Sequence, residues 1–201
     1  MTGMTGMPDD EVPRDAMPAR TPATGHIPET GHTPATGHTL VACLGNIFLS
    51  DDGFGVEVAR RLAGEQLPEG VRVTDYGIRG MHLAYDLAEG FDTTILVDTA
   101  QRGDAPGTVY LIEPEPRDDQ GDQAQLSLFN AHGMQPDLVL SLAGSLGGDA
   151  GRVLVVGCEP ATLEEGIGLS APVTAAVDEA AAMITRLVTA GQNTRSSDVE
   201  R

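Results

Sequence analysis

The sequence predicts an α/β fold in which a mainly parallel, twisted sheet of about five strands is sandwiched by helices in a single domain. Short apolar runs alternate along the chain with longer segments of helical periodicity, which is typical of strand–helix units. Several of these runs are apolar throughout, as expected for parallel strands covered on both faces. The chain has 201 residues, 40% of them hydrophobic, enough to bury the core of one domain.

Each element is predicted from its own pattern of apolar residues. Short apolar or alternating runs predict strands, and apolar residues recurring at helical spacing over longer stretches predict helices. The predicted strands are 39–45, 71–76, 94–98, 108–112 and 153–157, and the predicted helices are 54–66, 81–88, 138–146 and 171–188. The acidic, proline-containing segment 113–125 is predicted to be a surface loop. In a fold of this class, ligands bind at the carboxyl ends of the strands.

The two ends of the chain differ in composition from its middle. Residues 1–38 are rich in proline and glycine and contain a six-residue period that repeats Thr-Gly-His at His26, His32 and His38. This composition predicts a disordered tail, although spaced histidines also leave metal capture open. Residues 39–190 are predicted to form the α/β domain, and residues 191–201 a frayed end.

Composition excludes several classes of function. The formal net charge of −18 argues against partners with a polyanionic surface, both nucleic acid and anionic membranes. No apolar run reaches the roughly 20 residues of a membrane-spanning helix, and the first residues lack the apolar stretch of a signal peptide. We therefore expect a cytoplasmic protein. All 12 cationic side chains are arginines, which excludes a lysine Schiff base and a Walker lysine.

Polar residues follow several of the predicted strands at their carboxyl ends. They are Asp52, Asp75, Asp98, His132 and Glu159. Carboxylates and an imidazole that converge in one crevice are suitable ligands for a divalent transition metal. The sequence therefore predicts that one rim of the sheet gathers these side chains.

Each candidate also has an ordinary structural interpretation. Asp51 and Asp52 precede a predicted helix, where aspartate is a favoured N-cap, so we assign Asp51 to capping and keep Asp52 as the candidate for function. His132 could simply be a solvated loop residue. Cys43 is interpreted as a packed strand residue, and Cys158 could line the rim but has no basic neighbour to activate its thiol.

A dinucleotide-binding interpretation of the first loop is disfavoured. Gly45 follows a predicted strand, and Gly53 and Gly55 precede a helix. However, the separation of eight positions between Gly45 and Gly53 breaks the G-x-G-x-x-G spacing that a pyrophosphate site requires. The loop also carries two carboxylates, which would repel a pyrophosphate.

The first loop and helix, LGNIFLSDDGFGVEVARRL at 44–62, resemble the opening signature of the hydrogenase maturation proteases. These endopeptidases trim the C-terminus of the nickel-iron hydrogenase large subunit. Four further segments agree in order: DYGIRGMHL at 75–83, ILVDTA at 95–100, HGMQPDLVLSLA at 132–143, and VGCEP with EEGIGLS within 156–170. The resemblance spans about 39–188, and it departs from the family at Cys43, where many members have glycine.

The resemblance implies a specific site and substrate. Asp52, Asp98 and His132 match the family's metal-contacting trio, so they are expected to be both the metal ligands and the catalytic residues. The metal is expected to be nickel, supplied by the large-subunit precursor rather than carried by the protease. The implied activity is an aspartic-type, metal-dependent endopeptidase acting on that precursor. A non-catalytic nickel-binding checkpoint or chaperone protein of the same fold is the alternative.

Overall fold

The computed structural model describes residues 38–113 and 136–198, and these contain a five-stranded sheet. The strands are β1 (Thr39–Leu44), β2 (Val71–Gly77), β3 (Thr93–Thr99), β4 (Val109–Ile112) and β5 (Arg152–Cys158), in the spatial order β2-β1-β3-β5-β4. All pairings are parallel except that of β4, which lies antiparallel to β5 at one edge. The predicted fold class is therefore confirmed.

Helices cover both faces of this sheet. A short 3-10 helix (Ser50–Gly53) leads into α1 (Phe54–Leu62), and the other helices among the described residues are α2 (Gly80–Leu87), α3 (Pro136–Ser145) and α4 (Ala171–Asp198). Helices α1 and α4 share one buried cluster with the sheet, and α2 and α3 share the cluster on its other face. None of these helices combines the length and apolar character needed to cross a membrane.

The central strands are buried on both faces because their alternate side chains enter opposite clusters. In β1, Val41 and Cys43 pack with α1 and α4, whereas Leu40, Ala42 and Leu44 pack with α2 and α3. This two-sided burial explains why β1 and β3 are almost continuously apolar in sequence.

Three predicted boundaries differ from the structure. The predicted end of the last helix at 188 is wrong because α4 continues to Asp198, whereas fraying from 191 stays a prediction. No proline interrupts this stretch, and a single glycine, Gly191, costs a helix only about 1 kcal/mol. Helix α1 ends at Leu62 rather than 66. The predicted tail included His38, yet its N–H donates to the Asp92 carboxylate at 2.9 Å and its carbonyl accepts from the Asp92 N–H at 3.0 Å.

Other predictions fall outside the described residues. The tail at 1–37 and the loop at 114–125 are among these, so both stay predictions.

Candidate active site

The first helix begins in direct contact with the carboxyl ends of β1 and β3. Gly55, in its first turn, lies so close that a Cβ there would be 2.1 Å from the Leu44 carbonyl oxygen and 2.6 Å from that of Val97. Gly45 has a φ of +133°, and its Cβ would lie 1.9 Å from the Asp52 carbonyl oxygen. Both positions therefore require glycine, and together they fold the β1–α1 connection back over the strand ends.

This folding brings Asp52 beside Asp98. Asp98 is the next-to-last residue of β3, and Asp52 belongs to the 3-10 helix; both are buried. Thr99 joins them, because its N–H donates to Asp98 Oδ1 at 2.7 Å and its hydroxyl donates to Asp52 Oδ1 at 3.2 Å. The other Asp52 oxygen, Oδ2, accepts the N–H of Asn46 at 3.0 Å. Two of the three predicted site residues thus form one acid pair.

The acid pair is electrostatically unfavourable in isolation. Burial raises the pKa of Asp98 well above its ordinary value, and the neighbouring negative charge of Asp52 raises it further. Hydrogen bonding from Thr99 acts in the opposite direction but does not cancel the rise in pKa. A shared proton or a bound cation would relieve this repulsion, so the arrangement is suited to receive positive charge.

Of the other residues predicted for this rim, the structure describes Asp75 and Glu159, and neither joins the acid pair in a metal-binding group. Asp75 is exposed near the end of β2, opposite Cys43 in the strand register. His132 lies outside the described residues, so its place in the site stays a prediction. Within 38–113 and 136–198, no three histidine, cysteine, aspartate or glutamate side chains are grouped to hold a metal ion.

Glu159 is buried but serves a different loop, which corrects its predicted place beside the other acids. Its Oε2 accepts the Arg102 N–H at 2.7 Å and the Tyr110 hydroxyl at 2.7 Å, and its Oε1 accepts the Gly103 N–H at 3.1 Å. Although burial opposes ionisation, these hydrogen bonds lower the pKa of Glu159. The carboxylate therefore anchors the segment between β3 and β4.

The assignment of Asp51 to helix capping is wrong. No side chain caps either the 3-10 helix or α1, and their N-cap residues are Leu49 and Gly53. Asp51 is instead fully buried and accepts hydrogen bonds from Ala161, Thr162 and Ser170. These partners are 110 to 119 positions away in the chain, so no local pattern around Asp51 could reveal them.

Both cysteines belong to the core rather than to the rim. Cys43 is buried in β1, as the sequence predicted. Cys158, which could have lined the rim, is the last residue of β5 and is equally buried. Burial raises the pKa of the Cys158 thiol to about 12, with nearby carboxylates, Asp51 first, adding to the rise. A reactive thiolate is therefore not available at either position.

Exposed apolar side chains lie on the loops that surround the acid pair. Phe48 is 63% exposed and Ile167 is 84% exposed, and they are next to the two residues of an isolated bridge, Leu49 and Gly166. Ile78 is 70% exposed and follows Gly77, whose carbonyl accepts the N–H of Gly45 at 3.1 Å. Apolar side chains around a few polar groups are typical of a ligand-binding rim.

Thr99 is the site residue that the sequence analysis missed. The sequence feature that could have identified Thr99 is its position directly after Asp98. There its N–H and its hydroxyl both donate to the carboxylates.

The sequence is similar to known proteins over most of the domain. Residues 56–187 match the family described as "HycI: Hydrogenase maturation protease". The hydrogenase expression/formation protein HupM of Azotobacter chroococcum mcd 1 is 34% identical over 149 residues, covering 72% of this chain and 68% of that protein. The hydrogenase 2 maturation protease of Escherichia coli (strain K12) is 32% identical over 143 residues, covering 70% of this chain and 84% of that protein.

Solved structures agree with these relatives. The hydrogenase maturating endopeptidase HybD from E. coli superposes with a TM-score of 0.63 at 27% identity, over 77% of this chain and 93% of that one. A hydrogenase 2 maturation peptidase from a Thaumarchaeota archaeon superposes with a TM-score of 0.58 at 30% identity, over 75% and 97%. Sequence and structure comparisons thus agree on one family.

Proposed function

Because this chain belongs to the hydrogenase maturation protease family, we propose that it removes the C-terminal extension of a nickel-loaded nickel-iron hydrogenase large-subunit precursor. Proteolysis is the activity of the family. The nickel, the large subunit and the C-terminal position of the cut are the proposed specifics. They are supported by the chemistry of the acid pair and by the relatives, whose names refer to the formation or maturation of hydrogenases.

The observation that carries the proposal is the buried acid pair of Asp52 and Asp98. Burial raises the pKa of Asp98, and the charge of the neighbouring Asp52 raises it further, so the two carboxylates provide a place for a cation. Nickel held by the precursor would be part of the substrate, and oxygen ligands with an imidazole are suitable for such an ion. We propose Asp52, Asp98 and His132 as the residues that contact it.

The same residues are proposed to catalyse the hydrolysis. Peptide cleavage adds one water across the C–N bond: the water oxygen attacks the carbonyl carbon while a base removes its proton, and the departing amine receives a proton. A carboxylate of the pair supplies this base, and its conjugate acid returns the proton to the amine. Binding of the precursor's nickel at the acid pair would place the scissile bond beside that carboxylate.

The surrounding loops are proposed to contact the precursor peptide. Phe48, Ile78 and Ile167 expose apolar surface around the acid pair, where apolar side chains of a peptide can be bound.

The direct test is cleavage of the precursor by the purified chain, followed by intact-mass measurement of the large subunit. We expect the nickel-loaded precursor to lose its C-terminal extension and the nickel-free precursor to remain whole. Asp52→Asn, Asp98→Asn and His132→Ala should each lower the rate by a factor of about 100 or more, the usual contribution of a general acid or base. The two Asn variants should melt at or above the wild-type temperature, because each removes a like charge.

A matched control is Asp178→Asn, which removes a carboxylate from an exposed ion pair with Arg61 on the surface. It should cleave normally, since exposed pairs contribute only about 0–1 kcal/mol to stability. Near-normal cleavage by Asp98→Asn or His132→Ala would refute the site. A wild-type chain that binds the loaded precursor without cutting it would refute the function and favour the non-catalytic checkpoint protein.

A further inference from the structure

Asp51 is a fully buried carboxylate that the proposed reaction does not use. Its Oδ2 accepts the N–H of Ala161 at 2.8 Å, the N–H of Thr162 at 3.1 Å and the hydroxyl of Ser170 at 2.9 Å. Its Oδ1 accepts the N–H of Ser170 at 2.6 Å. Hydrogen bonds to an ionised acceptor are the stronger kind. This one side chain therefore holds both ends of the connection between β5 and α4.

Further contacts join the middle of that connection to the residues just before Asp51. The Ser50 N–H donates to the Gly166 carbonyl at 3.0 Å, and the Gly166 N–H donates to the Phe48 carbonyl at 2.9 Å. The Ser50 hydroxyl donates to the Glu164 carbonyl at 3.0 Å. Ser50 itself has a φ of +52°, a conformation that a non-glycine residue adopts only where its surroundings hold it.

These contacts act on the segment that carries Asp52. The 3-10 helix has four residues, and such short helices have few internal hydrogen bonds. Its geometry must therefore be supplied by its neighbours, and the Asp51 side chain accepts four hydrogen bonds from the β5–α4 connection. Asp52 follows it directly and contacts different partners, the Thr99 hydroxyl and the N–H of Asn46.

We infer that Asp51 is a positioning residue for proteolysis: by binding the β5–α4 connection, it fixes the 3-10 helix and so directs the Asp52 carboxylate toward Asp98. The inference rests on the proposed function of the acid pair. Displacement of a reacting group by 1 Å can lower a rate by a factor of about 100. A role in positioning Asp52 would therefore explain why the buried residue at position 51 is a carboxylate.

The test combines kinetics with hydrogen exchange in Asp51→Asn. Asparagine keeps the size of the side chain but has one acceptor oxygen, and its NH2 group must face an N–H or O–H donor. We expect kcat for precursor cleavage to fall by about 10- to 100-fold with a much smaller change in KM, as for a misplaced catalytic group. The Asn46 amide, which contacts Asp52 but not Asp51, should exchange about 10-fold faster or more.

Two further variants separate positioning from stability. Leu87 is buried at the C-terminal end of α2, at the end of the sheet where the strands begin, so Leu87→Ala opens a cavity there. This variant should lower the melting temperature, while kcat stays normal and the Asn46 amide stays protected. Ser170→Ala removes one of the four bonds to Asp51 and keeps the backbone donor, so its effects should resemble those of Asp51→Asn but be smaller. It also serves as the test if Asp51→Asn does not fold.

The inference is overturned if folded Asp51→Asn keeps the wild-type kcat, or if kcat falls while the Asn46 amide exchanges as in the wild type. It is also overturned if Leu87→Ala loses kcat and amide protection to the same extent. If the wild-type chain does not cleave the loaded precursor, the proposed function fails, and faster or unchanged exchange of the Asn46 amide still decides whether Asp51 positions Asp52.

Discussion

Replacing Gly55 by alanine is the smallest change expected to have a large effect on this protein. By helix propensity alone, the substitution should stabilise α1 by about 1 kcal/mol. The structure predicts the opposite, because the new Cβ would lie 2.1 Å from the Leu44 carbonyl oxygen, 2.6 Å from that of Val97 and 2.8 Å from the Leu44 nitrogen. Close carbon–oxygen contacts are about 3.3 Å or longer. The first turn of α1 must therefore move away from both strands by roughly 1 Å.

The cost follows from the atoms that would be displaced. Overpacking a core with a side chain typically costs about 1–3 kcal/mol because neighbouring side chains can still turn away. Here the obstructing atoms are backbone atoms of β1 and β3, which are paired with each other in the centre of the sheet. We therefore expect Gly55→Ala to lower the free energy of unfolding by about 3 kcal/mol or more, a large part of the roughly 5–15 kcal/mol of a typical domain.

Gly64→Ala is the matched control, since a Cβ there would meet nothing closer than the Arg61 carbonyl oxygen at 3.8 Å. Its stability should stay unchanged or rise by about 0.4–1 kcal/mol through the lower entropy of the unfolded chain. Urea unfolding of both variants measures the difference, and cleavage assays on the folded fraction report whether Asp52 has moved away from Asp98. A midpoint for Gly55→Ala at or above that of the wild type would refute the reasoning.

Two further predictions concern buried titratable groups. Burial raises the pKa of the Cys158 thiol to about 12 and also raises that of Cys43. Iodoacetamide at pH 8 should therefore label neither cysteine in the native chain but both in urea. Rapid labelling of the native chain together with loss of cleavage would contradict the proposed metal-site mechanism. Hydrogen bonding lowers the pKa of Glu159 below 4.5 despite burial, so the stabilisation is complete above pH 4.5 and is lost as the pH falls through the lowered value. Glu159→Gln should cost about 1–3 kcal/mol in urea melts at pH 7 and less at pH 4, and an equal loss at both values would contradict this assignment.

The fold was predictable because its signals are local. Five strands and four helices were expected at nearly the positions that the described residues show, since apolar periodicity depends on residues a few positions apart. The ends of helices were less predictable. Helix α4 continues to Asp198 because no proline follows Val188 and the single glycine, Gly191, does not stop it. Helix α1 ends at Leu62, before the apolar Leu67.

The site was predictable to the extent that it depends on topology. Asp98 lies near the carboxyl end of a buried strand and Asp52 lies in the connection after the neighbouring strand, so the rule for parallel sheets places them at the same end of the sheet. The partners of Asp51 and Glu159 were not predictable. Both are buried carboxylates at that edge, and which donors they meet depends on the paths of distant loops.

The adjacent aspartates show why one residue type in one motif can serve two purposes. Asp51 accepts four hydrogen bonds from the β5–α4 connection, which make it a structural anchor. Asp52 lies beside Asp98, where burial and then the charge of Asp52 disfavour the ionisation of Asp98. A bound cation would relieve little repulsion at a carboxylate that is surrounded by hydrogen-bond donors. It would relieve much more at a carboxylate that lies beside another carboxylate. Because the two residues are consecutive, the loop that binds Asp51 also constrains Asp52, so the proposed cation site would depend on a residue outside the acid pair.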